Sequence, residues 1–328
     1  MLSIEESYSA IRSTAAVIDR PSRVVVSLAG PTRMEAVRQL LAKSTEFVNA
    51  NTCVDSLLLS EAGEVIGSAT AIIRDEEVLV VVDADQEWFE LLTTLAAEHE
   101  VTVTLNPDRK ALNVEGPLSW QVVEGLTGAT PVEDVLLREC VTGTLDGREV
   151  LVARSGSTAE FGYLVVADAD PTATLTAAAQ GLGGGLVDLR VLTRVHVETN
   201  SPVLPDQVEG CTLLEAGLGW LASLDRDDSF IGDIVTSLSA PQRRLVAAYL
   251  DGDCPEAGTP VRDGDTVVGR VQVAAPTAGQ AEGLALLLLD NPYGVPGLEL
   301  SVGDRTARTV SRPTIAPVSW SSVIGARS

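Results

Sequence analysis

Residues 52–85, TCVDSLLLSEAGEVIGSATAIIRDEEVLVVVDAD, constrain the fold of this chain most tightly. Three apolar runs are cut at Glu61-Ala62-Gly63 and again at Arg74-Asp75-Glu76-Glu77. Turn residues between β-forming runs predict three consecutive strands of an antiparallel meander. On its N-terminal side, RVVVSLAG (23–30) predicts a strand and PTRMEAVRQLLAK (31–43) a helix with Pro31 at or near its first position. On its C-terminal side, QEWFELLTTLAAEHE (86–100) carries helical spacing and VTVTL (101–105) returns as a strand. A strand over 111–116, a helix over 118–125 and a hairpin over 139–154 turning at Asp146-Gly147 continue the alternation. A strand near 162–168 and helices near 171–181 and 186–198 follow.

After Pro241 the texture changes to short strands with Asp-Gly turns and no helix, the pattern of a small β-barrel or sandwich. The expected fold is therefore α+β, two mixed sheet-and-helix domains followed by an antiparallel β-barrel. The length of 328 residues suits two or three domains.

Composition narrows the function. The chain is 45% hydrophobic but only 4% aromatic, so Leu, Val and Ala carry the packing. A formal net charge of −23 argues against a nucleic-acid partner, because phosphates would be repelled across most of the surface. Arg305, Arg308, Arg312 and Arg327 reverse that sign locally and read as a solvated edge and tail. No window approaches the ~18 apolar residues of a spanning helix, and no export signal opens the chain. The four cysteines, Cys53, Cys140, Cys211 and Cys254, have no CxxC spacing and read as reduced core thiols. Two histidines exclude a His-rich metal centre. These features predict a soluble cytoplasmic protein; they leave the oligomeric state open.

GLGGGL (181–186) lacks the preceding strand and the ribose-binding acid of a dinucleotide fingerprint and reads as a flexible link between two helices. CTLLEAGLGWLASLD (211–225) places Glu215 inside an apolar run. That acid either faces solvent at a helix end or needs an Arg or a ligand, since a buried unpaired carboxylate costs several kcal/mol.

In order and spacing the chain resembles the T-protein of the glycine cleavage system, the aminomethyltransferase (GcvT-like) family. The resemblance rests on Ile18-Asp19 and the strand to Gly30-Pro31, on SEAGEVIG (60–67), on VEGP (114–117) and on SGSTAEFGYLV (155–165). The last is similar to Tyr-Thr-Gly-Glu-x-Gly-x-Glu, with Glu160 and Gly162 retained. LRVLTR (189–194) keeps Arg190 and Arg194 of an Ala-Arg-Asp-x-Leu-Arg helix, and SFIG (229–232) resembles Phe-Ile-Gly. RVQVAAPTAGQAEGLALLLLD (270–290) stands where the family's C-terminal barrel has its Val-Thr-Ser segment. A related branch, the folate-binding proteins of iron–sulfur maintenance, carries a cysteine motif that DRDDSFIGDIV (225–235) lacks.

The resemblance implies a three-domain cloverleaf around a central channel that holds tetrahydrofolate. It divides the chain into a discontinuous first domain (1–47 and 127–240), a second domain (48–126) and a barrel (241–328). Glu160 is the matched acid for a pterin edge, with Glu215 a second acid. Arg190, Arg194, Arg243 and Arg244 are candidate partners for these acids or for folate's carboxylate tail. Trp220 reads as a core residue or a stacking platform. The family's two catalytic acidic positions are held by Gly67 and Ser68. Two residues could replace them: Asp55, on the neighbouring strand, and His196, whose ordinary pKa suits proton transfer. Each has a structural alternative, an exposed strand residue and a satisfied core histidine. The expected activity is a divergent one-carbon transfer to or from a small amine, hydroxyl or methoxy substrate. The alternatives are folate-independent chemistry in the same channel and a non-catalytic folate-binding protein.

Overall fold

The computed structural model describes residues 1–84, 87–201, 207–237, 240–252 and 255–326. Cys254 and Arg327 lie outside them; Cys53, Cys140 and Cys211 are buried free thiols. The chain opens on α1 (Ile4–Ser13), which the sequence reading left unassigned. A reciprocal cap starts it: Glu6 N–H donates to Ser3 Oγ at 3.1 Å and Ser3 N–H to Glu6 Oε2 at 2.8 Å.

Strands β1 (Ala16–Ile18) and β2 (Val24–Ala29), helix α2 (Arg33–Leu40) and the meander β3 (Thr52–Leu59), β4 (Val65–Ile73) and β5 (Glu77–Ala84) follow. Then come α3 (Glu87–Glu98), β6 (Thr102–Leu105), β7 (Lys110–Glu115) and α4 (Ser119–Val123). The hairpin β8 (Cys140–Leu145) and β9 (Arg148–Ala153) leads to β10 (Gly162–Ala167), α5 (Thr172–Gln180), β11 (Gly185–Leu186) and α6 (Val191–Thr199).

These strands form two sheets. One has the order β11-β1-β7-β10-β9-β8, the other β3-β4-β5-β2-β6. Sheet membership departs from the expected divisions at residues 47 and 126. Strand β2 joins the meander sheet, and β7 pairs with β1 and β10 in the other. The sheets stack through one shared layer, with Val25, Ile72, Leu79 and Val81 against Ala111, Leu151, Leu164 and Val166. Small and β-branched side chains suit such a thin interface, which is how so few aromatic residues suffice.

Four expectations change. GLGGGL is no flexible link: Gly185 and Leu186 pair in parallel with Ala16 and Val17. A Cβ on Gly184 would lie 1.7 Å from the Ala15 carbonyl oxygen, so the glycine permits close backbone approach. The expected helix over 186–198 therefore begins only at Val191, and that over 118–125 ends at Val123 in a 3-10 turn. Segment 211–225 contains turns and one 3-10 turn (Gly219–Leu221), with no α-helix. Its Leu213, Ala216, Leu218 and Leu221 still pack against Leu245, Leu284 and Leu286 of the C-terminal domain.

The C-terminal domain is a closed six-stranded antiparallel barrel. Its strands are β12 (Arg243–Leu250), β13 (Pro260–Asp263), β14 (Thr266–Ala275), β15 (Gly283–Asp290), β16 (Glu299–Val302) and β17 (Arg305–Val310). Beyond it the chain returns to the first sheet's domain. Ser319 bonds Glu160 and Phe161, and Ile324 packs beside the cluster containing Trp120.

Candidate functional site

A small polar cavity lies where the two sheets meet. Its walls come from β3, β4 and β5, from Asn113 on β7, from Leu164 on β10 and from the loop Ser155-Gly156-Ser157. Arg20 and Arg23 close one end, and the cavity has a volume of about 50 Å³.

Local sequence explains the two arginines. In Arg20-Pro21-Ser22-Arg23 the Arg23 N–H donates to the Arg20 carbonyl at 3.0 Å, closing a turn with Pro21 at its second position. Both flanking guanidiniums then reach Asp83 on β5. Arg20 Nη1 donates to Asp83 Oδ2 at 2.8 Å and Arg23 Nη2 at 2.7 Å, while Arg23 Nη1 reaches Asn113 Oδ1 at 2.7 Å. Arg20, Asp83 and Asn113 are all buried. Burial alone would push Asp83's pKa up; Arg23 and Arg20 outweigh it and hold the carboxyl below its ordinary value. All the guanidinium bonds to Asp83 fall on Oδ2, and among the described residues Asp83 Oδ1 and Arg20 Nε are buried without a partner.

Register places Asp55 on the same face. Asp55 pairs with Thr70 and Thr70 with Val81 across the three meander strands, and Ser68 pairs with Asp83 two residues further along. Thr70 Oγ1 and Ser155 Oγ each donate to Asp55 Oδ1 at 2.8 Å, the second bond tying the two sheets together. Oδ2 has no protein partner among the described residues. Asp55 is thus a fixed carboxylate with one oxygen free. Gly67, next to Ser68, is pressed on β5: a Cβ there would lie 2.2 Å from that of Ala84.

Among the sequence-predicted residues, Asp55 alone lines this cavity. His196 lies behind its wall, fully buried, with Nε2 3.3 Å from Ser157 Oγ and Nδ1 unpartnered. Burial, with the nearby Arg20 charge, pushes its pKa down to about 3, so the imidazole is neutral at physiological pH. Glu160 turns away from the cavity and takes Ser319 N–H at 2.9 Å, Ser319 Oγ at 2.7 Å and Arg12 Nη1 at 3.5 Å. Arg190 projects outwards, 74% exposed, and forks onto Asp188. Arg194 is buried against Glu198 and staples α6 to the barrel through the carbonyls of Pro276 and Glu282.

Glu215 accepts from Arg243 Nε at 2.9 Å and from Thr212 N–H at 3.0 Å, joining its turn to β12. Arg244 is exposed on the barrel, and Trp220 is 48% exposed with its carbonyl on Lys43 Nζ. Glu160, Arg190, Arg194, Glu215, Arg244 and Trp220 are thus not brought together at this cavity: each acid has an internal partner, and the arginines serve surfaces and domain contacts.

The sequence reading missed Arg20, Arg23, Asp83 and Ser155. Two signals were present: paired arginines around a proline turn, and an acid near the end of the apolar run VLVVVDAD (78–85). In Tyr-Thr-Gly-Glu-x-Gly-x-Glu, moreover, the closing Glu falls on Leu164. That position faces the cavity, whereas Glu160 does not.

Comparisons with known proteins agree on one family. The model of the GCVT N-terminal domain matches residues 2–226. An aminomethyltransferase of Streptomyces coelicolor is 25% identical over 310 residues, covering 90% of this chain and 83% of that protein. One of Cutibacterium acnes is 28% identical over 319 residues, covering 91% and 85%. The crystal structure of the glycine cleavage system aminomethyltransferase T from Bartonella henselae superposes with a TM-score of 0.83 at 19% identity, covering 96% of this chain and 90% of that one; it is a match of fold.

Proposed function

The chain belongs to the GCVT N-terminal domain family, and from that premise we propose an aminomethyltransferase-like enzyme acting on a small amine in the cavity between its two sheets. One observation carries the reading: Asp55 faces the cavity with Oδ1 anchored by Thr70 and Ser155 and Oδ2 free. An amine that gains a one-carbon group from a carrier supplied in solution, or releases one to it, must lose or regain a proton at nitrogen. A carboxylate held in one rotamer within hydrogen-bonding reach suits that transfer. Arg20, Arg23 and Asp83 supply the fixed charges beside it. His196, neutral and behind the wall, positions Ser157.

The family resemblance implies tetrahydrofolate. The residues of this cavity do not fit its pterin. The motif's closing glutamate falls on Leu164, an apolar side chain in the wall, and Gly67 and Ser68 replace the paired acids. Asp83 already holds two guanidiniums. A volume of about 50 Å³ is also far below the roughly 300–1,000 Å³ of sites that enclose drug-sized ligands. No step is therefore derived through folate.

The test is turnover of a panel of small amines and N-methylamines followed by mass spectrometry, with and without added tetrahydrofolate. Wild type converts at least one amine, and Asp55→Asn lowers its kcat by about 10²–10⁴-fold, the usual range for a lost acid–base group. No conversion, or conversion unchanged in D55N, removes the reading.

A further inference from the structure

The corner where the edges of the two sheets meet carries a separate groove, and we infer that it binds a small organic acid, one carboxylate on an aromatic body. Strand β3 is an edge of one sheet and β8 an edge of the other, and Thr52 bridges Glu139 just ahead of β8. Beside that bridge lies an open groove of about 280 Å³, with Phe47, Val48 and Val54 on its apolar side and Lys43, Thr52 and Arg138 on its polar side. It shares no lining residue with the cavity that holds Asp55.

The charge of the groove selects the charge of its ligand. The chain has 46 acidic residues against 23 basic ones, yet the lining of this groove includes Lys43 and Arg138 and no acid. Lys43 Nζ donates to the Trp220 carbonyl at 3.0 Å, a neutral acceptor that leaves its charge in place. The Arg138 guanidinium has neither a hydrogen-bond acceptor nor a carboxylate partner among the described residues. Its sequence neighbour Glu139 is engaged elsewhere, with Oε2 accepting from Leu136 N–H at 2.8 Å. A planar fork of donors without an internal acceptor matches a carboxylate, and Lys43 adds a second positive charge.

The backbone holds the two recognition groups in place. Arg138 has a φ of 71°; its N–H donates to the Arg154 carbonyl at 2.9 Å, and its carbonyl accepts from Cys53 N–H at 2.7 Å. Phe47 has a φ of 61° and is 92% exposed. Such left-handed backbone is uncommon for a long side chain and an outlier for a bulky one, and it persists where the surroundings dictate it. Here it occurs twice around one groove. An aromatic ligand laid against Phe47, Val48 and Val54 removes their surface from water while its carboxylate meets Arg138.

Calorimetric titration of the full chain with phenylacetate tests this. The comparators are acetate, which lacks the ring, and phenylacetamide, which keeps the ring and lacks the charge. The expected result is one phenylacetate site, with both comparators weaker by about tenfold or more. Arg138→Gln weakens phenylacetate by about tenfold or more, Phe47→Ala weakens it several-fold, and D55N leaves it unchanged. Melting temperatures report the folding of each variant; should R138Q unfold, Arg138→Lys, which keeps the charge and loses the fork, still weakens binding several-fold. Absence of a phenylacetate site, equal affinity for either comparator, or affinity unchanged in the Arg138 variants overturns the inference. Loss of binding in D55N with R138Q unaffected places the acid between the sheets and overturns it too. Phenylacetate binding at Arg138 without turnover of any amine leaves the inference standing and removes the proposed activity. D55N-sensitive turnover without phenylacetate binding does the reverse.

Discussion

Arg20, just beyond β1 of one sheet, donates to Asp83 on β5 of the other at 2.8 Å, across 63 positions of sequence. Arg23 joins on the same oxygen, so one carboxylate joins the proline turn to the meander. Several consequences can be measured.

Asp83→Ala leaves two guanidiniums without their carboxylate. Breaking a buried pair in this way costs about 3–5 kcal/mol, and urea denaturation of D83A is expected to show a loss of that size. A loss below 1 kcal/mol would place the cluster in solvent.

The same pair sets an acid limb of stability. Asp83's folded pKa lies below the ordinary 3.8, so its contribution is fully present above that value and is lost as pH falls through the folded pKa. Asp83→Asn should be less stable than wild type near neutrality, with the gap closing on strong acidification. A gap independent of pH contradicts the ion pair.

His196 acts in a different window. Its folded pKa of about 3 lies below the ordinary 6.5, so between these values the unfolded chain binds the extra proton and stability falls as pH drops. His196→Gln should flatten the stability curve across that window and leave the pH–rate profile without a lost limb near 6.5. A limb that disappears in the variant would restore His196 as a proton carrier.

Glu160 is expected to hold the C-terminal segment. Glu160→Gln, or Ser319→Ala, should speed proteolytic trimming after residue 310 and cost about 1–3 kcal/mol, the penalty for a buried polar group left unpaired. Ligand binding in the cavity should not change. Loss of binding with the tail still protected would return Glu160 to the site.

Gly67→Ala should destabilise by roughly 1–3 kcal/mol or more, since the new Cβ meets Ala84 at 2.2 Å and β5 must shift. Thermal melting checks it; an unchanged melting temperature would mean that β4 and β5 are further apart.

Much of this architecture was legible in sequence, for local reasons. The meander, the Asp146-Gly147 hairpin and the strand-rich end follow from turn residues between β-forming runs. Helix α1 was legible too, in Ser3-x-x-Glu6, but its short amphipathic pattern went unassigned. The site was less so. Asp55 was identified through the resemblance, as an acid one strand over from Gly67 and Ser68, and the register of that hairpin sets it opposite Thr70, a local relation. Arg20 and Asp83 meet only because two sheets stack, and nothing within either segment announces the other. Glu160 shows the converse: a motif match fixes the loop's course, while the partner that claims its carboxylate, Ser319, lies 159 residues away.

The most direct test of the central claim is a crystal structure of the protein grown with an amine that it turns over. The account predicts ligand density between Asp55 and the Arg20–Asp83 pair, with the amine nitrogen towards Asp55. Density beside Glu160 or Arg190, with the space between the sheets unchanged, would contradict it.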